Sequence, residues 1–159
     1  MNAIVVVDRN WAIGCEGNLL FSLPTDMKRF RALTLNGTVI MGRKTLDTFP
    51  GGRPLPNRVN VVLSRKEMEI QGAVVCHSPE EAAELTKDAQ RVMVIGGGSV
   101  YAQMLPMCDR AYVTKVHANP GSDTFFPNLD QDPQWKLEEI LQSGEEEGIA
   151  YEMCLYVRK

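Results

Sequence analysis

The chain reads as an α/β protein, with strands and helices alternating around a largely parallel sheet that turns antiparallel at one edge. Three observations predict this. Short β-branched runs recur at "AIVVV" (3–7), "TVIMG" (38–42), "RVNVVLS" (58–64), "AVVC" (73–76), "RVMVIGGG" (91–98) and "RAYVTKVHA" (110–118). Such nearly unbroken runs are typical of strands buried on both faces. Helical patterns fall between most of them, as parallel strands joined by crossovers require. The last two runs, "WKLEEILQSG" and "IAYEMCLYVRK", are separated only by "GEEEG". They pair antiparallel, with that segment as the turn.

The elements follow in order. The first run lies near the middle of the sheet, and a glycine-bearing loop spans residues 8–22. Pro24 then opens a helix, since proline's missing N–H is not needed at the first helical position. That helix runs to about Leu35 and is stopped by Asn36-Gly37. "RKTLDTF" (43–49) is a short helix ended by "PGG". "SPEEAAELT" (78–86) is a helix with Ser78 as N-cap, Pro79 in the first turn, and Glu80 and Glu81 where the helix dipole favours acids. "SVYAQMLP" (99–106) is a helix that follows three glycines.

No repeat, low-complexity tract or linker interrupts the 159 residues, so residues 1–159 form one domain. A chain of this length buries roughly 70% of the surface its unfolded form exposes, enough for a core without disulfides or metal. The formal net charge of −3 argues against nonspecific binding to nucleic acid or anionic membranes. The N-terminal apolar run, Ala3 to Val7, is too short for a membrane span and lacks the basic flank of a signal peptide. The cysteines, Cys15, Cys76, Cys108 and Cys154, are scattered, and His77 and His117 lie far from them at metal-ligand spacing. Free thiols in a reducing cytoplasm, with no metal, is the expected state.

Chemistry-bearing residues collect where strands end. "VIGGGSVY" (94–101) offers backbone N–H groups and a positive helix end to a phosphate. It is not the dinucleotide fingerprint G-x-G-x-x-G, because Tyr101 stands where the third glycine belongs. A tight turn alone is the competing reading, although three glycines exceed what a turn needs. At "MGRKT" (41–45), Arg43 and Lys44 oppose the dipole of the helix they open, so an anion between them explains them better than helix stability does. "LSR" (63–65) repeats the pattern. A solvated basic face explains any one cluster; an extended phosphorylated ligand explains all three.

Asp26, in "LLFSLPTDMKRF" (19–30), presents a different problem. It sits in a first helical turn with Phe30 and Leu33 on its face. It is either a solvent-exposed first-turn acid or an acceptor for a ligand that offers two N–H donors side by side. In "FPGGRPLPNR" (49–58), prolines at 50, 54 and 56 stiffen a basic loop from which Arg58 reaches an acidic ligand tail, unless it is a plain surface loop.

The segments "IG" (13–14), "LPTD" (23–26), "VIMGRKT" (39–45), "GRPLPNR" (52–58), "VIGGGSVY" (94–101) and "DTFFP" (123–127) occur in the order and spacing of bacterial dihydrofolate reductases. The chain resembles that family over nearly its whole length. The resemblance implies an eight-stranded mixed sheet, mostly parallel, flanked by four helices. It also implies reduction of 7,8-dihydrofolate to tetrahydrofolate with NADPH, hydride going to C6 and a solvent-derived proton to N5, in support of one-carbon metabolism.

By the same resemblance, Asp26 grips the pterin 2-amino group and N3, backed by Thr114, and Leu19 and Phe21 join it as catalytic positions. Ile4, Val5, Met27, Phe30, Phe49, Leu55 and Ile95 wall the substrate, and Arg58 holds its glutamate α-carboxylate. Arg43, Lys44, Thr45, Ser64 and Arg65 surround the adenosine-side phosphates. Gly96, Gly97, Gly98, Ser99, Val100 and Tyr101 carry the pyrophosphate, with a cis peptide between Gly96 and Gly97. Val6, Ile13, Gly14, Gly42, Leu63 and Ile95 complete the cofactor contacts, and residues 14–22 form a loop that closes over nicotinamide. The implied partners are dihydrofolate and antifolate inhibitors, with no nucleic acid or membrane, and the chain is implied to be a monomer.

Two positions depart from the family's pattern. Leu20-Phe21 replaces the usual Pro-Trp, removing an indole N–H that anchors a water. Ser99 stands where arginine is common, removing a phosphate cation. Two other readings remain open on the residues: a pyrimidine reductase of riboflavin synthesis, which shares fold and cofactor but has no need of Asp26 beside Phe30, and a non-catalytic nucleotide-binding regulator.

Overall fold

The structure, a computed structural model, describes residues 1–15, 18–19, 23–118 and 124–159; of residues 14, 15, 18 and 19 only the backbone is described. Its strands in chain order are β1 (Asn2–Val7), β2 (Ala12–Cys15), β3 (Asn18–Leu19), β4 (Thr38–Gly42), β5 (Val59–Leu63), β6 (Ala73–Cys76), β7 (Val92–Gly96), β8 (Arg110–Val116), β9 (Thr124–Phe125), β10 (Trp135–Glu146) and β11 (Ile149–Arg158). The helices are α1 (Pro24–Thr34), α2 (Arg43–Asp47), α3 (Pro79–Leu85) and α4 (Gly98–Met104).

The central sheet has eight strands in the order β10-β11-β8-β1-β7-β4-β5-β6. From β8 to β6 every pairing is parallel, whereas β11 runs antiparallel to both β8 and β10. The mixed sheet and antiparallel C-terminal pair match the sequence reading. So does the β-branched first run, which lies inside the sheet with Ala3, Val5 and Val7 in the main core.

Two expectations need correction. Residues 8–22 are not loop throughout: β2 pairs with β3 and with β9 in a separate three-stranded ribbon. Strands of two to four residues are too short to show a periodicity. The C-terminal turn is also tighter than "GEEEG". Strand β10 continues through Glu146, and the chain reverses at Glu147-Gly148, whose φ values are 53° and 80°. Positive φ at both central residues is the two-residue hairpin geometry that follows strand twist.

Helix α1 is polar, and its position is fixed by distant residues. Leu23 at its N-cap offers no side-chain hydrogen bond, so Thr25 N–H donates to Glu146 Oε1 at 3.1 Å. At the other end, Arg91 Nη1 and Nη2 donate to the carbonyls of Leu35 (2.9 Å) and Ala32 (2.8 Å). Asn36 takes φ 61°, ending the helix where Asn36-Gly37 predicts. A Cβ on Gly37 would lie 2.9 Å from the Arg91 carbonyl oxygen, so glycine there allows the close approach.

The main core gathers Trp11, Tyr101, Phe126 and Tyr156, with Tyr101 edge-on to Phe126 at 4.8 Å and Trp11 edge-on to Tyr156 at 5.7 Å. A separate cluster, Val39, Met41, Leu46 and Val62, carries Phe49, Leu55 and Ile95 packed against it.

Candidate active site

The three phosphate-type clusters lie together. Strands β7, β4 and β5 are neighbours, with Met41 opposite Gly96 and Gly42 opposite Leu63. Their C-terminal ends therefore form one edge, the side of a parallel sheet on which ligands bind. Helices α2 and α4 start there, and neither Gly42 nor Gly97 gives its helix a side-chain cap.

The glycines let the backbone close in. Gly96 has φ 129° and joins Gly97 through a cis peptide, as the resemblance implies. A Cβ on Gly96 or Gly97 would lie 3.2 or 3.4 Å from Thr45 Oγ1, and one on Gly98 would lie 2.7 Å from Thr124 Cγ2. Buried Ile13 approaches the same turn, and Val100 packs on Gly42. Lys44, Arg65 and Ser99 are exposed at this edge, and Ser64 and Leu63 are half-buried. Arg43 is exposed and has local partners, Asp47 at 3.5 Å and Met68 Sδ at 3.0 Å. Amides without side-chain caps, close-packed glycines and nearby cations fit a phosphate-bearing cofactor such as NADPH.

Asp26 lies in the first turn of α1, half-buried. Thr114 Oγ1, from β8, donates to its Oδ1 at 2.6 Å. Burial raises the carboxyl above its ordinary value; the Thr114 hydrogen bond and the charge of Arg29 oppose this, and the charge of Glu146 adds to it. Tyr101, placed by the resemblance in the pyrophosphate turn, turns its side chain inward and donates from Oη to the Ile4 carbonyl at 2.7 Å. Burial raises its phenol, and the charge of Asp26 adds to that rise, so Tyr101 lies within the field of Asp26.

Of the other expected contact residues, Ile4 and Val5 are buried in β1, Val6 and Phe30 are half-buried, and Met27 is 58% exposed. Phe49, Leu55 and Ile95 pack over one apolar cluster. Arg58 is oriented by two bonds, from Nε to Thr34 Oγ1 at 2.9 Å and from Nη1 to the Pro56 carbonyl at 3.0 Å. Burial lowers its guanidinium, and so does the neighbouring charge of Arg31. Two cations side by side make a favourable place for an anion. Gly14 pairs with Leu19 across β2 and β3, the Leu19 side chain is not described, and Phe21 lies outside the described residues.

Two residues beside the site escape sequence reasoning. His77 follows β6, whose Cys76 pairs with Leu63, so its ring Nδ1 comes to 2.8 Å from the Ser64 carbonyl. Glu146 reaches α1 from 121 positions away. Both placements come from strand pairing, and no local motif signals them. Among the described residues no group of His, Cys, Asp and Glu is arranged to hold a metal, and no helix is long and apolar enough to cross a membrane.

Comparison with known proteins agrees with this geometry. The family profile described as dihydrofolate reductase matches residues 1–158. The dihydrofolate reductase of Haemophilus influenzae is 40% identical over 135 residues, covering 85% of this chain and 82% of that protein. That of Bacillus subtilis is 36% identical over 159 residues, covering 98% and 93%. A solved structure of the Enterococcus faecalis dihydrofolate reductase, complexed with NADP(H) and RAB-propyl, superposes with a TM-score of 0.89 at 34% identity, covering 99% of this chain and 95% of that one. The strand-end cradle, the half-buried carboxylate and these likenesses converge: the chain belongs to the dihydrofolate reductase family.

Proposed function

We propose that Asp26 is the group that binds and polarises the substrate of this NADPH-dependent dihydrofolate reductase. The enzyme reduces 7,8-dihydrofolate to 5,6,7,8-tetrahydrofolate, the reduced carrier for one-carbon metabolism. The observation behind the assignment is the half-buried Asp26 carboxylate held by Thr114 at 2.6 Å. With Oδ1 oriented by that bond, the carboxylate has lone pairs left for the pterin 2-amino group and N3.

Asp26 lies at the far end of the ring from N5, so it does not hand over the proton. Its charge favours the protonated ring while a water delivers the proton. Ile4, Val5, Met27, Phe30, Phe49, Leu55 and Ile95 wall the pterin and benzoyl groups and keep bulk water out. Arg58 holds the glutamate tail, supported by the second cation at Arg31. NADPH, when bound, supplies the hydride that C6 accepts. Val6, Ile13, Gly14, Gly42, Arg43, Lys44, Thr45, Leu63, Ser64, Arg65 and the Gly96–Tyr101 turn hold it, and Leu19 and Phe21 belong to the segment that closes the site.

The chain acts as one domain and as a monomer on small molecules, without nucleic acid or membrane. The edge strand β10 is interrupted by register shifts and carries Glu138, Glu139 and Glu145, which discourage pairing with another copy. Burial pushes the thiols of Cys76 and Cys108 up to about 11, in keeping with inert free cysteines in a reducing cytoplasm.

The test is loss of NADPH absorbance on adding dihydrofolate, which a methotrexate-like antifolate blocks. Asp26→Asn keeps the fold, loses turnover at neutral pH and recovers part of it in acid, where the substrate arrives protonated. Unchanged turnover at neutral pH rules the assignment out.

A further inference from the structure

We propose that Glu146, at the end of β10, is a positioning residue for the reaction: it caps α1 from across the fold and deepens the negative potential that Asp26 presents to the dihydropterin. The inference rests on the role given to Asp26 above. Helix α1 does not cap itself. Leu23 provides no side-chain acceptor, and Pro24 has no N–H, so Thr25 N–H is an early orphan donor in α1. Glu146 Oε1 accepts it at 3.1 Å.

The residue after Thr25 is Asp26, so a second carboxylate is held one position from the group that grips the substrate. A cap of this kind needs only an oxygen, and serine, threonine or asparagine at the N-cap is the common solution. Using a carboxylate places two negative charges at one helix start, and the charge of Glu146 disfavours ionisation of Asp26. That arrangement is costly for the empty protein and favourable once a cationic ring arrives, which is the state the reaction needs.

The charged and titratable groups around Asp26 are few among the described residues. Its own helix contributes Arg29, which points to Met153 Sδ at 3.3 Å and lies over the Tyr112 ring at 5.7 Å. Helix α4 contributes Tyr101, β8 contributes the neutral Thr114, and the hairpin contributes Glu146, flanked by the exposed Glu145 and Glu147. Arg29 is thus drawn towards β11 and β8, and Glu146 supplies the added negative charge on the hairpin side.

Two substitutions separate charge from capping. Glu146→Gln keeps an oxygen for Thr25 N–H and removes the charge; Glu146→Ala removes both. The measurement is the pH dependence of single-turnover hydride transfer from NADPH to dihydrofolate. With Glu146→Gln, the descent of rate with rising pH moves to lower pH by about half a unit, a roughly threefold loss at neutral pH. Glu146→Ala shows the same shift and also raises KM for dihydrofolate. A purely structural cap predicts that Glu146→Gln superimposes on the unmodified enzyme at every pH, and that result overturns the inference. Asp26→Asn, run alongside, separates the two readings. If it retains full turnover, the role of Asp26 itself fails; if it collapses while Glu146→Gln is unshifted, only the role of Glu146 fails.

Discussion

At the start of α1 the half-buried carboxylate of Asp26 takes its hydrogen bond from Thr114, 88 positions away. At the strand-end edge, β7, β4 and β5 stop side by side and present glycine backbone, helix starts and exposed cations. The first region works by burial: a desolvated charge acts strongly on whatever ring binds beside it. The second works by backbone shape, because its charges face solvent, where each is screened and individually weak. Sensitivity to substitution should therefore be concentrated in one side chain, Asp26, at the proposed substrate side, and in the glycines more than the cations at the proposed cofactor side.

The largest effect falls on Asp26→Asn, with turnover reduced about 10²- to 10⁴-fold at neutral pH. The same exchange stabilises the empty protein. Burial sets the carboxyl above 3.8 in the fold, so the native state holds the proton more tightly than the unfolded chain. The ionised form at neutral pH then costs stability, and the cost fades as pH falls towards 3.8. The Asn variant melts higher at neutral pH, about 2–4 °C for each kcal/mol released. The gap closes in acid, and thermal melts across pH check the sign.

Gly96→Ala comes next. It forces a side chain into a φ of 129° and against Thr45 Oγ1, costing about 1–3 kcal/mol in stability or NADPH affinity, which denaturation and fluorescence titration apportion. Thr114→Val removes the donor to Asp26 at a cost of about 1–2 kcal/mol, near tenfold in kcat/KM for dihydrofolate. Because that hydrogen bond holds the Asp26 carboxyl down, the Asp26 titration in the free enzyme moves up. The smallest effect is Arg65→Gln, with NADPH weakened about twofold to fivefold and less dependent on salt than before. A larger loss at Arg65 than at Gly96 breaks the comparison.

The two regions also differ in how plainly the sequence announces them. The strand-end cradle is local: each cluster is a contiguous run at the end of a β-branched stretch, so "MGRKT", "LSR" and "VIGGG" stand out in the linear chain. That they meet depends on β4 lying between β5 and β7, a matter of strand order. Asp26 by itself reads equally well as an ordinary first-turn acid. Its burial and its Thr114 partner are tertiary facts, and only the family resemblance points to them from the sequence. The β2–β3–β9 ribbon, the side chain of His77 beside Ser64 and the reach of Glu146 leave no local signal at all, because each is produced by pairing between distant segments.

Helix α1 spans Pro24–Thr34 and is gripped at its start by Glu146 and at its end by Arg91. Eleven residues are too few to stay helical unaided in water. The segment is accordingly a beam pinned by two distant brackets. Loosening either bracket should speed exchange of the helix amide protons and slacken the hold on the Asp26 carboxylate, the group proposed to grip the substrate.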